Sequence, residues 1–137
     1  EKLKGAGVIE EVEETELLVP VVATRKPNGN LRICVDLRVL NKNVIVDKYL
    51  LSNINDMLML LEGAIVLSNI DLRSANHQIK LDDDSKDLTA FITPFGTHGY
   101  TRLSFDLISA ASVFQRAMEK VLSGLLGVKV YQDDILI

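Results

Sequence analysis

Tyr131-Gln132-Asp133-Asp134-Ile135-Leu136-Ile137 sets two adjacent carboxylates between apolar, strand-forming flanks. Asp is a good turn residue, so the pair suits the solvated tip of a β-hairpin. Adjacent acids repel each other, and a pair that does more than form a turn needs a cation or a cationic partner to neutralise it. A third acid stands in the same kind of setting upstream. Asp71 ends the apolar run Ala64-Ile65-Val66-Leu67-Ser68-Asn69-Ile70, so two strand-terminal acidic positions are expected to converge on one Mg²⁺ site.

Working outward, the best hairpin pattern joins Leu17–Ala23 to Leu31–Val35 through Pro27-Asn28-Gly29-Asn30, where Asn-Gly supplies the positive φ angles of a type I′ turn. Residues 1–16 read as a short acidic helix and loop. Ser52 is placed to cap a helix carrying Ile54, Met57, Leu58 and Leu61, stopped at Gly63, with the strand into Asp71 following at once. Asp82-Asp83-Asp84-Ser85-Lys86-Asp87 reads as a solvated turn or short helix, with a metal loop as the alternative. Thr89–Thr93 and Tyr100–Phe105 suggest a strand pair around Pro94 and Gly96. From Ile108 to Leu125 runs the clearest helix, with Val113, Phe114, Ala117, Met118, Val121, Leu122 and Leu125 on one face and Gln115, Arg116, Glu119, Lys120 and Ser123 on the other.

A chain of 137 residues suits one domain with a real core. Its 47% apolar content and mean hydropathy of +0.19 are high for a free-standing soluble domain. Since no run approaches the roughly 18 apolar residues of a membrane span, faces covered by neighbouring segments are expected, and no membrane partner. The start at Glu1 and the stop inside a strand-like run suggest a fragment. The single cysteine, Cys34, cannot form an internal disulfide or a cysteine-based zinc site, and no signal peptide is visible, so an intracellular setting is expected. Net charge is −4, against a simple nucleic-acid-binding domain. Its distribution is uneven: residues 1–16 hold six Glu and two Lys, while residues 25–48 hold six Lys or Arg against Asp36 and Asp47. The basic stretch is either an ordinary solvated hairpin or a face for phosphates.

Taken together, four segments resemble the reverse transcriptases of gypsy-type long-terminal-repeat retrotransposons and retroviruses. Val35-Asp36-Leu37-Arg38-Val39-Leu40-Asn41-Lys42 is similar to their fingers motif, and Ile70-Asp71-Leu72-Arg73-Ser74-Ala75-Asn76-His77-Gln78-Ile79 to their first catalytic motif. Ser112–Met118 resembles the helix after the nucleotide-binding turn, and Tyr131–Asp134 the Tyr-x-Asp-Asp box. The resemblance implies an α+β right-hand polymerase: an antiparallel palm sheet with packed helices, residues 1–48 and 75–105 on the fingers side, 49–74 and 106–137 on the palm side, the thumb absent. It also implies RNA-directed DNA polymerase ancestry, acting on an RNA or DNA template-primer with deoxynucleoside triphosphates, with activity expected to be weak or lost in this truncated chain. The working setting would be the cytoplasm, in a virus-like particle, with the nucleus as a further site, and the thumb and ribonuclease H regions of a parent polyprotein as partners.

By position, Asp71, Asp133 and Asp134 would be catalytic and would hold two Mg²⁺ ions, Mn²⁺ being an alternative, with the carbonyl of Leu72 as a further ligand. Lys26 and Arg32 would reach the triphosphate, and Leu72, Arg73, Ser74, Ala75, Asn76, Phe105 and Asp106 would line the nucleotide site. Asp36 and Arg38 are expected to pair or to position template.

Four positions depart from the family pattern. Asn76 stands where a Tyr or Phe is usual and Ala75 where Gly is common, which leaves room for a ribose 2′-hydroxyl. In Leu103-Ser104-Phe105-Asp106-Leu107, where Pro-Phe-Gly is common, Asp106 adds a charge expected to repel phosphate by about 1–4 kcal/mol at roughly 4 Å. Ala111 replaces a usual Pro. Two other readings are carried: a catalytically dead reverse-transcriptase-derived module that binds RNA or protein, and a nucleotide cyclase, whose strand-end aspartates also hold two metals.

Overall fold

The computed structural model describes residues 2–137 apart from 14, 16, 26, 28, 30, 48, 50–52 and 60, and leaves the side chains of 31–33, 54 and 58 undescribed. Helix α1 (Lys2–Gly5) leads into strand β1 (Ile9–Glu11). Strands β2 (Val21–Arg25) and β3 (Leu31–Val35) follow, then helices α2 (Arg38–Asn41) and α3 (Ile54–Met59). Strand β4 (Asn69–Asp71), a 3₁₀ turn over Ala75–Gln78, helix α4 (Asp83–Asp87), and strands β5 (Phe91–Thr93) and β6 (Gly96–Tyr100) come next. Helix α5 (Ala110–Val121) and strands β7 (Lys129–Tyr131) and β8 (Asp134–Leu136) complete the order. The strands form three antiparallel sheets, β1-β6-β5, β2-β3 and β4-β8-β7. This is the expected α+β architecture.

Two of the sheets share one core. Val8, Val19, Val35, Leu37, Leu40, Phe91 and Tyr100 pack together, so the end of β3, helix α2 and the β5-β6 hairpin bury one another. Burial of such side chains contributes on the order of 1.5–3 kcal/mol each. A parallel bridge from Val19 to Phe91 ties the approach to β2 onto β5.

Several elements differ from expectation, each for a local reason. Residues 9–11 form a strand rather than loop, because Glu10 and Glu11 point to solvent at a sheet edge while paired with Gly99 and His98. The β2-β3 pairing runs to Arg25 and Leu31; Gly29 has the expected positive φ, +80°, while Asn28, the other residue of the expected Asn-Gly turn, lies outside the described residues. The proposed cap Ser52 lies outside the described residues. Residues 64–68 are not a strand. Ile65 and Val66 are 98% and 79% exposed, and pairing begins at Ser68, which exchanges two backbone hydrogen bonds with Ile137. The strand placed at 100–105 is β6 at 96–100, since Pro94 and Phe95 alone make the turn after Thr93. On α5 the apolar stripe is buried only in its first turns: Phe114 is 3% exposed, Val121 74%. Among the described residues no helix is long and apolar enough to cross a membrane.

Candidate active site

The β4-β8-β7 sheet brings the acidic positions together. The β7-β8 ladder ends at the pair Tyr131 and Asp134, which leaves Gln132 and Asp133 as a two-residue turn. Gln132 has φ +53° and Asp133 does not share that sign, the pattern of a type II′ turn with a side chain where glycine is usual. On the other side of β8, Asp71 pairs directly with Asp134. Residues opposite each other in an antiparallel pair project to the same face. The backbone N–H of Leu72 then donates to the carbonyl of Asp133 at 2.9 Å, fixing the turn against the end of β4.

The Asp134 carboxylate accepts a hydrogen bond from the Asn69 side-chain amide at 3.0 Å, which orients it on the face that Asp71 shares. Asp71 and Asp133 are exposed and Asp134 half-buried. Among the described residues no three acidic, histidine or cysteine side chains are gathered into a ready-made metal group. What the fold supplies is a paired backbone that seats three oxygen-donor side chains at one sheet end. Carboxylate oxygens are the donors that Mg²⁺ takes, so the residues fit such an ion.

A pocket of about 350 Å³ opens beside the turn, lined by Ser74, Ala75, Asn76, His77, Phe105, Ala111, Phe114, Gln132 and Asp133. Ser74, in the left-handed region at φ +52°, turns the chain from β4 into the 3₁₀ turn that presents Asn76 and His77. Burial pulls the His77 imidazole below its ordinary pKa, and its Nε2 is buried without a hydrogen-bond partner. Of the residues expected to meet a nucleotide, Ser74, Ala75, Asn76 and Phe105 line this pocket together with Asp133. Leu72 and the exposed Arg73 are outside it. Lys26 lies outside the described residues, as does the side chain of Arg32.

Asp106 is not among the lining residues. Its carboxylate accepts from the Val35 N–H at 3.3 Å, and its carbonyl accepts from the Asn41 side chain at 3.0 Å. Asn41 also accepts from the Ile108 N–H at 3.0 Å. A loop expected to face substrate is therefore clamped by the end of β3 and by α2. Asp36 and Arg38 do pair, with bonds of 2.8 and 2.6 Å, and this holds the Asp36 carboxyl at about 2.

Gln115 corrects the sequence reading. Assigned to the solvent face of α5, it is fully buried, donating to the Val130 carbonyl at 2.9 Å and accepting from the Gln132 N–H at 2.8 Å. Glutamine among charged helix residues reads as surface, and only its place in the Ser112–Met118 segment gave a signal.

The model of the family "reverse transcriptase (RNA-dependent DNA polymerase)" matches residues 24–137. The chain belongs to the reverse transcriptase family. It is 39% identical over 126 residues to the retrovirus-related Pol polyprotein from transposon 412 of Drosophila melanogaster, covering 88% of this chain and 10% of that protein. To the polyprotein from transposon gypsy of the same species it is 38% identical over 112 residues, 80% of this chain and 11% of the relative. The chain thus spans about a tenth of the length of these relatives. Its fold matches a foamy viral protease-reverse transcriptase solved in complex with RNA/DNA hybrid, with a TM-score of 0.84 at 25% identity, over 98% of this chain and 18% of that one. This reverse transcriptase domain carries the gypsy-type resemblance along most of its length.

Proposed function

We propose that this domain is the fingers and palm region of an RNA-directed DNA polymerase that adds deoxynucleotides to a primer 3′-hydroxyl on an RNA or DNA template. The observation that carries the reading is the β4-β8 register, which sets Asp71 opposite Asp134 and locks Leu72 onto Asp133, next to a pocket formed by Ser74–His77 and Phe105. The solved relative held with RNA/DNA hybrid supports a template-primer as partner, and the separation of β4-β8-β7 from the other two sheets supports the palm and fingers division given above.

Asp71, Asp133 and Asp134, with the carbonyl of Leu72, would hold Mg²⁺, or Mn²⁺ in its place. Two such ions about 3.5–4 Å apart would supply activation of the 3′-hydroxyl and stabilisation of the departing pyrophosphate. The chain's own part is positional. The register fixes the spacing of the carboxylates, Asn69 orients Asp134, and the pocket walls hold base and sugar beside Asp133. Lys26 and Arg32 would meet the triphosphate.

Primer extension on an RNA template tests this, comparing a form that carries its flanking sequence with Asp133→Asn. Mg²⁺-dependent extension lost in the variant supports the reading. Absence of extension in both favours a catalytically dead binding module, and formation of a cyclic nucleotide from a triphosphate identifies the cyclase.

A further inference from the structure

We infer that Gln115 is a positioning residue that holds the metal-bearing turn in register, and that Glu119 and Tyr49 hold Gln115. This deepens the polymerase reading and rests on it for its catalytic consequence, though not for its structural one.

The side-chain amide of Gln115 grips the β7 side of the turn. Its Nε2 donates to the carbonyl of Val130 at 2.9 Å and its Oε1 accepts from the N–H of Gln132 at 2.8 Å. Val130 is buried on β7, and Gln132 is the turn residue with φ +53° that immediately precedes Asp133. A left-handed glutamine is an unfavourable conformation that needs outside support, and the bond from its own N–H to Gln115 supplies it. Only one orientation of the amide works, because a flip would set the NH₂ group against an N–H and the oxygen against a carbonyl.

The second Nε2 hydrogen goes to Glu119 Oε1 at 2.8 Å, one turn along α5. The other oxygen of Glu119 accepts from the Tyr49 hydroxyl. Tyr49 lies under the Arg116 guanidinium, 5.5 Å from the ring centre, and Arg116 is paired with Asp47. A continuous chain of polar contacts therefore runs from the segment before α3, across α5, to the backbone on which Asp133 sits. Polar networks specify one geometry best when every member is satisfied, so loss of the Glu119 link loosens Gln115, the buried member, and with it the turn.

Amide hydrogen exchange tests the inference in the metal-free protein carrying its flanking sequence. In the wild type the Gln132 N–H and the Gln115 side-chain amide exchange slowly. Gln115→Met, which keeps the side-chain length and removes the bonds, raises Gln132 exchange on the order of tenfold, as expected for one buried hydrogen bond, while amides of β5 and β6 stay unchanged. Glu119→Gln gives a smaller rise at the same site. Where primer extension is measurable, Gln115→Met lowers kcat and leaves the KM for nucleotide within about twofold, since Ser74–His77 and Phe105 on the pocket's other walls keep their places, and Gln115→Asn does not restore it. Fast exchange of both groups in the wild type overturns the inference even if Gln115→Met fails to fold. So does Gln132 exchange unaltered in a folded variant. An inactive wild type that shows the exchange pattern separates failure of the polymerase reading from failure of this one.

Discussion

Asp71 on β4 stands directly across the antiparallel ladder from Asp134 on β8, and Asn69, two residues before Asp71, hydrogen-bonds the Asp134 carboxylate. The sheet end thus alternates amide and acid on one face. Replacing Asn69 with Asp puts a further negative charge on the same face, two residues before Asp71 and diagonal to Asp134. Asn69→Asp is expected to lose about 1 kcal/mol of stability in EDTA, from repulsion at a few ångström in solvent, and to regain it with Mg²⁺. Thermal melts in EDTA and in Mg²⁺ check this: melting curves equally displaced in both conditions would show that no shared cation offsets the charge.

Asn76 lines the pocket beside Asp133 where the family resemblance places a ring. Polymerisation by this domain is expected to discriminate weakly between deoxy- and ribonucleotides, and Asn76→Tyr to improve the ratio by one to two orders of magnitude, roughly the 1–3 kcal/mol that a steric gate of a few atoms commands. Single-nucleotide incorporation gives the ratio. Strong rejection of ribonucleotides by the unmodified protein refutes the assignment of this position.

Asp106 was expected to repel phosphate, but its carboxylate is bonded to the Val35 N–H. Asp106→Asn, which retains an acceptor oxygen and removes the charge, should leave nucleotide affinity within about twofold. Asp106→Gly should cost about 1–2 kcal/mol of stability by losing that bond and adding chain entropy. A large gain in nucleotide affinity in Asp106→Asn, read by equilibrium titration, would return the charge to the substrate site.

His77 carries a pH dependence whose sign follows from burial. Its folded pKa lies below the ordinary 6.5, so below about pH 6.5 the unfolded chain takes up a proton that the folded chain refuses. The stabilisation is present above 6.5, is lost as pH falls through that value, and levels off below the folded pKa. His77→Gln removes this part of the profile. Denaturant titrations from about pH 5 to 7.5 compare the two, and parallel profiles would remove His77 as the cause.

Much of the site was legible because its chemistry is local. Turn-forming acids between β-branched flanks mark a hairpin tip wherever they occur, and an acid closing an apolar run marks a strand end, so Asp71, Asp133 and Asp134 could be read from short windows. The contributions of Gln115 and Asn41 depend on partners 15 to 67 residues away in sequence, and nothing in a helix pattern distinguishes a buried, fully bonded amide from a solvated one. Strand β6 was displaced in the reading because Gly96 and Gly99 lower its apparent strand propensity. Gly99 is nonetheless suited to its place, as a Cβ there would come within 3.1 Å of the Val12 side chain. The run 64–68 misled in the opposite sense: its residues favour strands, yet pairing with the β8 edge begins at Ser68.

Polymerase chemistry in this domain depends most on residues 71, 133 and 134 reaching one ion. Paramagnetic broadening by Mn²⁺, with the aspartate carboxyl carbons labelled and the protein carrying its flanking sequence, measures this without reference to turnover. Broadening of all three carboxyl signals at the same low Mn²⁺ concentration, reversed by excess Mg²⁺, is the predicted result. If Asp133 and Asp134 broaden while Asp71 keeps its sharp signal, the β4-β8 register does not build a shared metal site and the polymerase mechanism proposed for it is wrong.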